Sequence, residues 1–315
     1  MPYTNTTAEN RPDLDIIVAE HIGVEQPGFV GTKLLPILPQ EKSSGKFHKI
    51  LFSEIDKQIL DNRKTSTSGY NRIERTTDKD SFDCEKYGLE EPLDEDDVAR
   101  MGMIEAEAMT SGLVSFNNLR AQEKRIAAKI CTSTFGSAYQ QAVVAAWCNA
   151  GTAKPLRDMN NSKNKLVKNI GGTKVPGCKL TLTITDEQLA ALLETDEIMS
   201  KSLYTRKLGE GQPSLEELKA YFNVDDIFVA SARIKKELIF SNAFGLLAIV
   251  SDSQGLKMIP RLGNTFLWTG STASNNVTQT YRDEVKEADI VRVKHHVDEK
   301  IITAPCGVLL TGVLA

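Results

Sequence analysis

Four histidines, five cysteines and two tryptophans in 315 residues leave little material for metal or nucleophilic chemistry. Cys84, Cys131, Cys148, Cys178 and Cys306 are scattered with no paired spacing, which excludes a disulfide framework and reads as reduced thiols in a cytoplasmic setting. There is no C-x-x-C, no H-E-x-x-H, no G-x-G-x-x-G or G-x-x-x-x-G-K-[ST] phosphate loop and no G-x-S-x-G elbow. No apolar run approaches the roughly 20 residues that cross a bilayer. The opening "MPYTNTTAENRPDLD" is polar, so no secretory signal and no membrane partner are expected. Positive charge is not in excess either. With 38 basic and 42 acidic residues, the net charge of −4 argues against a general nucleic-acid binder.

What is there belongs to an ordinary globular chain, 41% hydrophobic and 25% charged. The stretch "DIVRVKHHVDEKIITAPCGVLL" alternates as a strand, so His295 and His296 point to opposite faces and cannot close on one ion. They read as strand histidines, one partly packed and one solvated. His21 and His48 lie in an arm and a strand, and no catalytic, cofactor or metal residue is assigned.

Residues 1–40, punctuated by Pro12, Pro27, Pro36 and Pro39, read as an extended arm. Its apolar groups, among them Phe29, Leu34 and Leu35, need a body or a neighbouring subunit to lean on. "GKFHKILFSEI" and "KDSFDCEKYGLE" are strand-like, joined by a long polar segment with little to bury. Such a loop is out of place inside a compact monomer and suits an element whose partner surface lies on another molecule. From Lys57 to Arg75 five basic residues (Lys57, Arg63, Lys64, Arg72, Arg75) face two acids, while Asp78–Asp97 holds ten acids against two lysines. A basic tip and an acidic base could meet head to tail between copies, with Asp94, Glu95, Asp96 and Asp97 at the acidic end.

Those four acids also suit the start of a helix, where the dipole favours negative charge. Val98, Met101, Met109, Leu113, Phe116, Leu119, Ile126 and Ile130 then recur at helical spacing, and predict one rod of some 36 residues, about 54 Å long. Gly102 and Gly112 are the places where it could bend. A second, basic helix carries Lys163, Lys165 and Lys168; without interleaved aromatics it suits a solvated face or a subunit contact better than nucleic acid. From Cys178 to Ser231 the order is strand, helix, helix, strand, with capping boxes expected at Thr185/Gln188 and Ser214/Glu217. "FGLLAIVS" reads as a buried central strand, which completes an α+β domain.

The order of parts, together with "FVGTKLLPILPQEKSSGKFHKI", "KLTLTITDEQLAALLETDEIMSKSLY…SLEELKAYFNVDDIFVASA" and "DIVRVKHHVDEKIITAPCGVLLTGVLA", resembles the major capsid protein of tailed bacteriophages, with its HK-ninety-seven type of shell fold. The resemblance spans nearly the whole chain, and the order of segments carries it more than any one motif. It implies an N-terminal arm (1–40), an extended loop (41–92), a peripheral domain with a spine helix (93–178 and 281–306) and an axial domain (179–280 and 307–315). It also implies a non-enzymatic subunit without cofactor that assembles as hexamers and pentamers into an icosahedral head. That head would hold double-stranded DNA through non-specific contact only, in the virion, after assembly in the host bacterial cytoplasm.

Other expected partners are a portal, a decoration protein and a scaffolding protein, the last a separate chain because the arm is reached within some thirty residues. The family's type member cross-links a lysine to an asparagine. Lys57 or Lys64 and Asn275 or Asn276 are the residues of those types here, with no motif to support the transfer. Two other readings stand beside this one. An encapsulin, a nanocompartment of the same fold, would enclose cargo protein; a soluble α+β enzyme would elute as a monomer.

Overall fold

The computed structural model describes residues 8–25, 28–49, 78–93, 95–131, 135–170, 178–205, 213–251, 260–270, 275–283 and 288–314. Its strands, in chain order, are β1 (Glu9–Asn10), β2 (Ile37–Gln40), β3 (Ser44–Lys49), β4 (Asp78–Asp83), β5 (Glu85–Leu93), β6 (Gln140–Ala142), β7 (Lys179–Thr185) and β8 (Asp226–Ala230). They continue with β9 (Arg233–Ile234), β10 (Glu237–Leu238), β11 (Phe244–Val250), β12 (Gly263–Trp268), β13 (Val277–Asp283), β14 (Ala288–Ile301) and β15 (Gly307–Thr311). The helices are α1 (Pro12–Glu25), α2 (Gly31–Leu34), α3 (Glu95–Met101), α4 (Met103–Ile130), α5 (Pro155–Ile170), α6 (Asp186–Leu193), α7 (Asp196–Thr205) and α8 (Leu215–Phe222).

One sheet is organised by β14, whose 14 residues serve three neighbours. β13 pairs along Ala288–Lys294 and β12 along Val297–Ile301, sharing one edge, while β5 takes the other along Asp289–Val297. β1 and β2 extend this sheet at its two ends. The second sheet runs β6-β15-β11-β7-β8. Its central strand β11 lies between β15 and β7, as the unbroken apolar run predicts. Alternation along β11 feeds two cores. Leu247 and Ile249 face Leu182, Val308 and the helix residues Met159, Leu192 and Leu218. Leu246, Ala248 and Val250 face Leu34 and Leu35 of the arm and Ile126 and Ile130 of α4.

Local signals account for several boundaries. Thr185 caps α6, its hydroxyl accepting from the Gln188 N–H at 3.2 Å while Gln188 Oε1 accepts from the Thr185 N–H at 3.0 Å. Ser214 and Glu217 repeat the reciprocal box at α8, and each such cap contributes about 1 kcal/mol.

Four expectations need correction. The arm is not wholly extended, since Pro12–Glu25 is a helix with Pro12 at its first position and Asp13 and Asp15 in its first turn. The rod is not continuous: Gly102, at φ +88°, separates α3 from α4, a conformation glycine tolerates and other residues resist. The stretch Gly45–Glu90 does have something of its own to bury against. Phe82 stacks on Phe266 at 4.6 Å, Phe47 lies 5.4 Å from the same ring, and β5 is paired with β14 along its whole length. The connecting residues 50–77 lie outside the described residues. Finally, His296 is not solvated; it is buried beside Trp268, ring centroids 5.3 Å apart.

Candidate interaction surface

The spine helix α4 buries polar and apolar groups together and leaves large apolar groups in water. Its inward side carries Ala106, Val114, Ile126, Ala127 and Ile130 alongside Glu107, Ser111, Ser115, Asn118, Gln122 and Glu123, with Gly112 also buried. Several of the apolar side chains whose spacing predicted the helix point outward. Met109 is 63% and Leu113 49% exposed, and at the N-terminal end Met103 and Ile104 are 51% and 76% exposed. On α1, where Leu14 and Val18 are buried, Ile16 and Ile17 are exposed in the same way. A helix in a lone subunit normally turns its apolar stripe to the core and its charges to water.

The polar part of the inward side is matched by polar groups on the sheet it covers. His295, fully buried on β14, has Nδ1 3.1 Å from the Asn275 carbonyl and Nε2 3.2 Å from Arg125 Nη2. Both contacts are satisfied by a neutral ring that donates from Nδ1 and accepts at Nε2. Burial, aided by the Arg125 charge, pushes its pKa down to about 4. Arg125 reaches past the ring to the buried Glu299 carboxylate at 2.7 Å and lies 3.7 Å over the Tyr87 ring. Lys129 donates to the Glu299 carbonyl. Asn118 and Ser115 engage Asn276, and Asn275 donates to Gln122 at 3.2 Å. His295 and His296 therefore serve two different faces of one strand, with no shared ion.

The arm runs along α4 in the same direction. Arg11 pairs with the buried Glu107 carboxylate at 3.0 Å, Phe29 meets Phe116 edge-on at 5.8 Å, and Glu123 accepts from the Val30 and Gly31 N–H groups. α1, with Leu14 and Val18 buried, packs along α4.

The residues singled out from sequence divide three ways. Leu34 and Leu35 are fully buried in the chain's own core, which corrects the expectation that they reach a neighbour, while Phe29 is only partly covered, by Phe116. Lys57, Arg63, Lys64, Arg72, Arg75 and Asp94 lie outside the described residues. Glu95, Asp96 and Asp97 are on α3, where Asp96 is exposed. The outward apolar side chains, absent from that set, are legible only as a periodicity whose direction a sequence does not state. Among the described residues no group of three His, Cys, Asp or Glu side chains is placed to hold a metal. Among them, too, no helix is long and apolar enough to cross a membrane. A groove of about 520 Å³ beside α5 is lined by Gln141, Asn161, Asn164, Lys165, Lys168 and Asn169, all amides and ammonium groups.

No family model matches this sequence, and no curated protein does. Solved structures do match. A phage-related protein from Bordetella bronchiseptica RB50 superposes with a TM-score of 0.73 at 18% identity, over 98% of each chain. The capsid of the cyanophage P-SCSP1u gives 0.54 at 8% identity, over 88% of this chain and 86% of that one. An encapsulin complex from Synechococcus elongatus PCC 7942 gives 0.53 at 9%, over 90% and 86%. The likeness is one of fold: this α+β chain has the phage capsid fold of the HK-ninety-seven type.

Proposed function

We propose that this chain is a shell subunit, the major capsid protein of a tailed phage, self-assembling as hexamers and pentamers around packaged double-stranded DNA. The carrying observation is the set of apolar side chains that the spine helix leaves in water. Met109 and Leu113 stand one turn apart on one exposed face, Met103 and Ile104 are exposed at the N-terminal end, and a partner surface is what removes such groups from solvent. A capsid fold supplies that partner as another copy of the chain. The basic segment Lys57–Arg75 meets the acidic segment Asp78–Asp97 of a neighbour, and many modest interfaces close a shell that no single contact would hold.

The subunit's role is structural rather than catalytic. Its domains follow the capsid plan: arm to residue 40, loop to 92, peripheral domain with the spine helix, and axial domain. A separate scaffolding protein, a portal and a decoration protein are its further partners. It assembles in the host cytoplasm and resides in the virion.

The encapsulin reading is kept because an encapsulin shares the fold at the same level of likeness as a capsid does. Negative-stain microscopy of the expressed protein, followed by assay of the particle contents, tests both. Closed shells that take up DNA support the capsid reading, and shells filled with cargo protein move it to the nanocompartment. A monomer at all concentrations refutes both.

A further inference from the structure

Glu123 sits under the arm. Oε1 accepts from the Val30 N–H at 2.9 Å and the Gly31 N–H at 3.1 Å, and Oε2 accepts from Gly31 at 2.8 Å. The fit is close, since a Cβ on Gly31 would stand 2.5 Å from Oε2 and 2.8 Å from Ile126 Cδ1, and one of the two side chains would have to move aside. The carboxylate is buried, and two backbone amides are its hydrogen-bond partners. Among the described residues it has no ion pair. Lys33 on α2 is the charged group that acts on it, while Arg120, one turn back on α4, turns instead to the Arg233 carbonyl and the Phe116 ring. With the arm lifted, the same carboxyl would stand on the surface of α4 in water.

We propose that the arm is a proton-coupled latch: residues 28–35 seat on α4 as Glu123 takes up a proton, and the seat loosens as pH rises. Docking takes one carboxyl group out of water without supplying a cation in contact, and two amide hydrogen bonds only partly replace its hydration. The neutral acid keeps both bonds, because its oxygens still accept from Val30 and Gly31. Burial, opposed by those two amides and by Lys33, raises its pKa to about 7. An undocked carboxyl titrates near 4.5. Between those values the docked arm holds a proton that the free arm has lost, so each pH unit weakens docking about tenfold; above about 7 both forms are ionised and the effect ends. The latch belongs to the single chain and does not rest on the shell reading.

Hydrogen–deuterium exchange of the unassembled full chain between pH 5 and 8.5, corrected for intrinsic rates, tests this. Protection of the Val30 and Gly31 amides is expected to fall about tenfold per unit up to pH 7 and then level. Amides of Val291–Val297 serve as the reference. In Glu123→Gln, which stays neutral, the fall is expected to vanish. A flat or rising wild-type profile, or a slope that survives in the glutamine variant, overturns the proposal. Should that variant not fold, the ¹³C carboxyl shift of Glu123 in the wild type decides: a midpoint near 7 supports the latch, and one below 5 removes it.

Discussion

Replacing Met109 and Leu113 together by glutamine would separate assembly from folding. Glutamine has nearly the same helix propensity as methionine and leucine, so α4 itself loses little. Met109 is 63% and Leu113 49% exposed, and neither belongs to the buried residues of the helix. The stability of the isolated subunit is therefore expected to change by no more than about 0.5 kcal/mol. Covered by a neighbour, each contributes about 1–1.5 kcal/mol, half or more of the transfer free energy of a whole apolar side chain. The pair then weakens each subunit contact by about 2–3 kcal/mol, and the concentration at which shells form rises about 30- to 150-fold. Light scattering across a dilution series reads that threshold, and urea unfolding of the unassembled chain reads the subunit. Shells forming at an unchanged threshold, with the subunit intact, would refute the claim that this stripe is an assembly surface.

Three other outcomes are expected. Arg125→Ala leaves the buried Glu299 carboxylate with Lys129 alone, at 3.8 Å, and strips His295 of a donor, so it should destabilise the subunit by about 3 kcal/mol in denaturant titration. His295 remains neutral to about pH 4, whereas an unfolded histidine protonates near 6.5. Its contribution is thus complete above about 6.5 and lost as pH falls toward 4, by about 1.4 kcal/mol per unit. Because Glu123 acts in the opposite sense over much of that range, the effect is to be read as the difference between wild type and His295→Gln at each pH, and a constant difference would contradict it. Deleting residues 57–75 should abolish or malform shells while leaving a soluble monomer, and normal particles by microscopy would refute the role given to the loop.

Legibility in the sequence followed the range of the interactions. The capping boxes at Thr185 and Ser214 are three-residue signals and were readable as such. The central strand β11 was readable because both its faces are apolar. Helix α1 escaped notice because its apolar residues fall on all sides and its stretch carries no period. The spine helix is legible by its period, but the period does not say that Ile126 and Ile130 turn inward while Met109 and Leu113 turn to water. Nothing local shows that Asn275, Asn276, His295 and Glu299 come to meet Asn118, Gln122 and Arg125. Alternation with Arg292 and Lys294 predicts one wet face of the strand, whereas both His295 and His296 of β14 are buried. The role of Glu123 was out of reach altogether, since its partners are backbone amides more than ninety positions away.

Gly102 has a mechanical meaning. A single rod would transmit a push at its acidic end undiminished to Ile130. Interrupted there, the 28-residue helix is a beam of about 42 Å, with a separate seven-residue stub set at an angle to its tip. The corner is pinned by backbone, the Gly102 N–H donating to the Val98 carbonyl and the Gly102 carbonyl accepting from the Ala106 N–H, so the direction of the stub is fixed by the dihedrals of one residue. At Gly263 and Gly307 the constraint is steric instead, since an added methyl would strike the Lys300 carbonyl and the Phe135 ring.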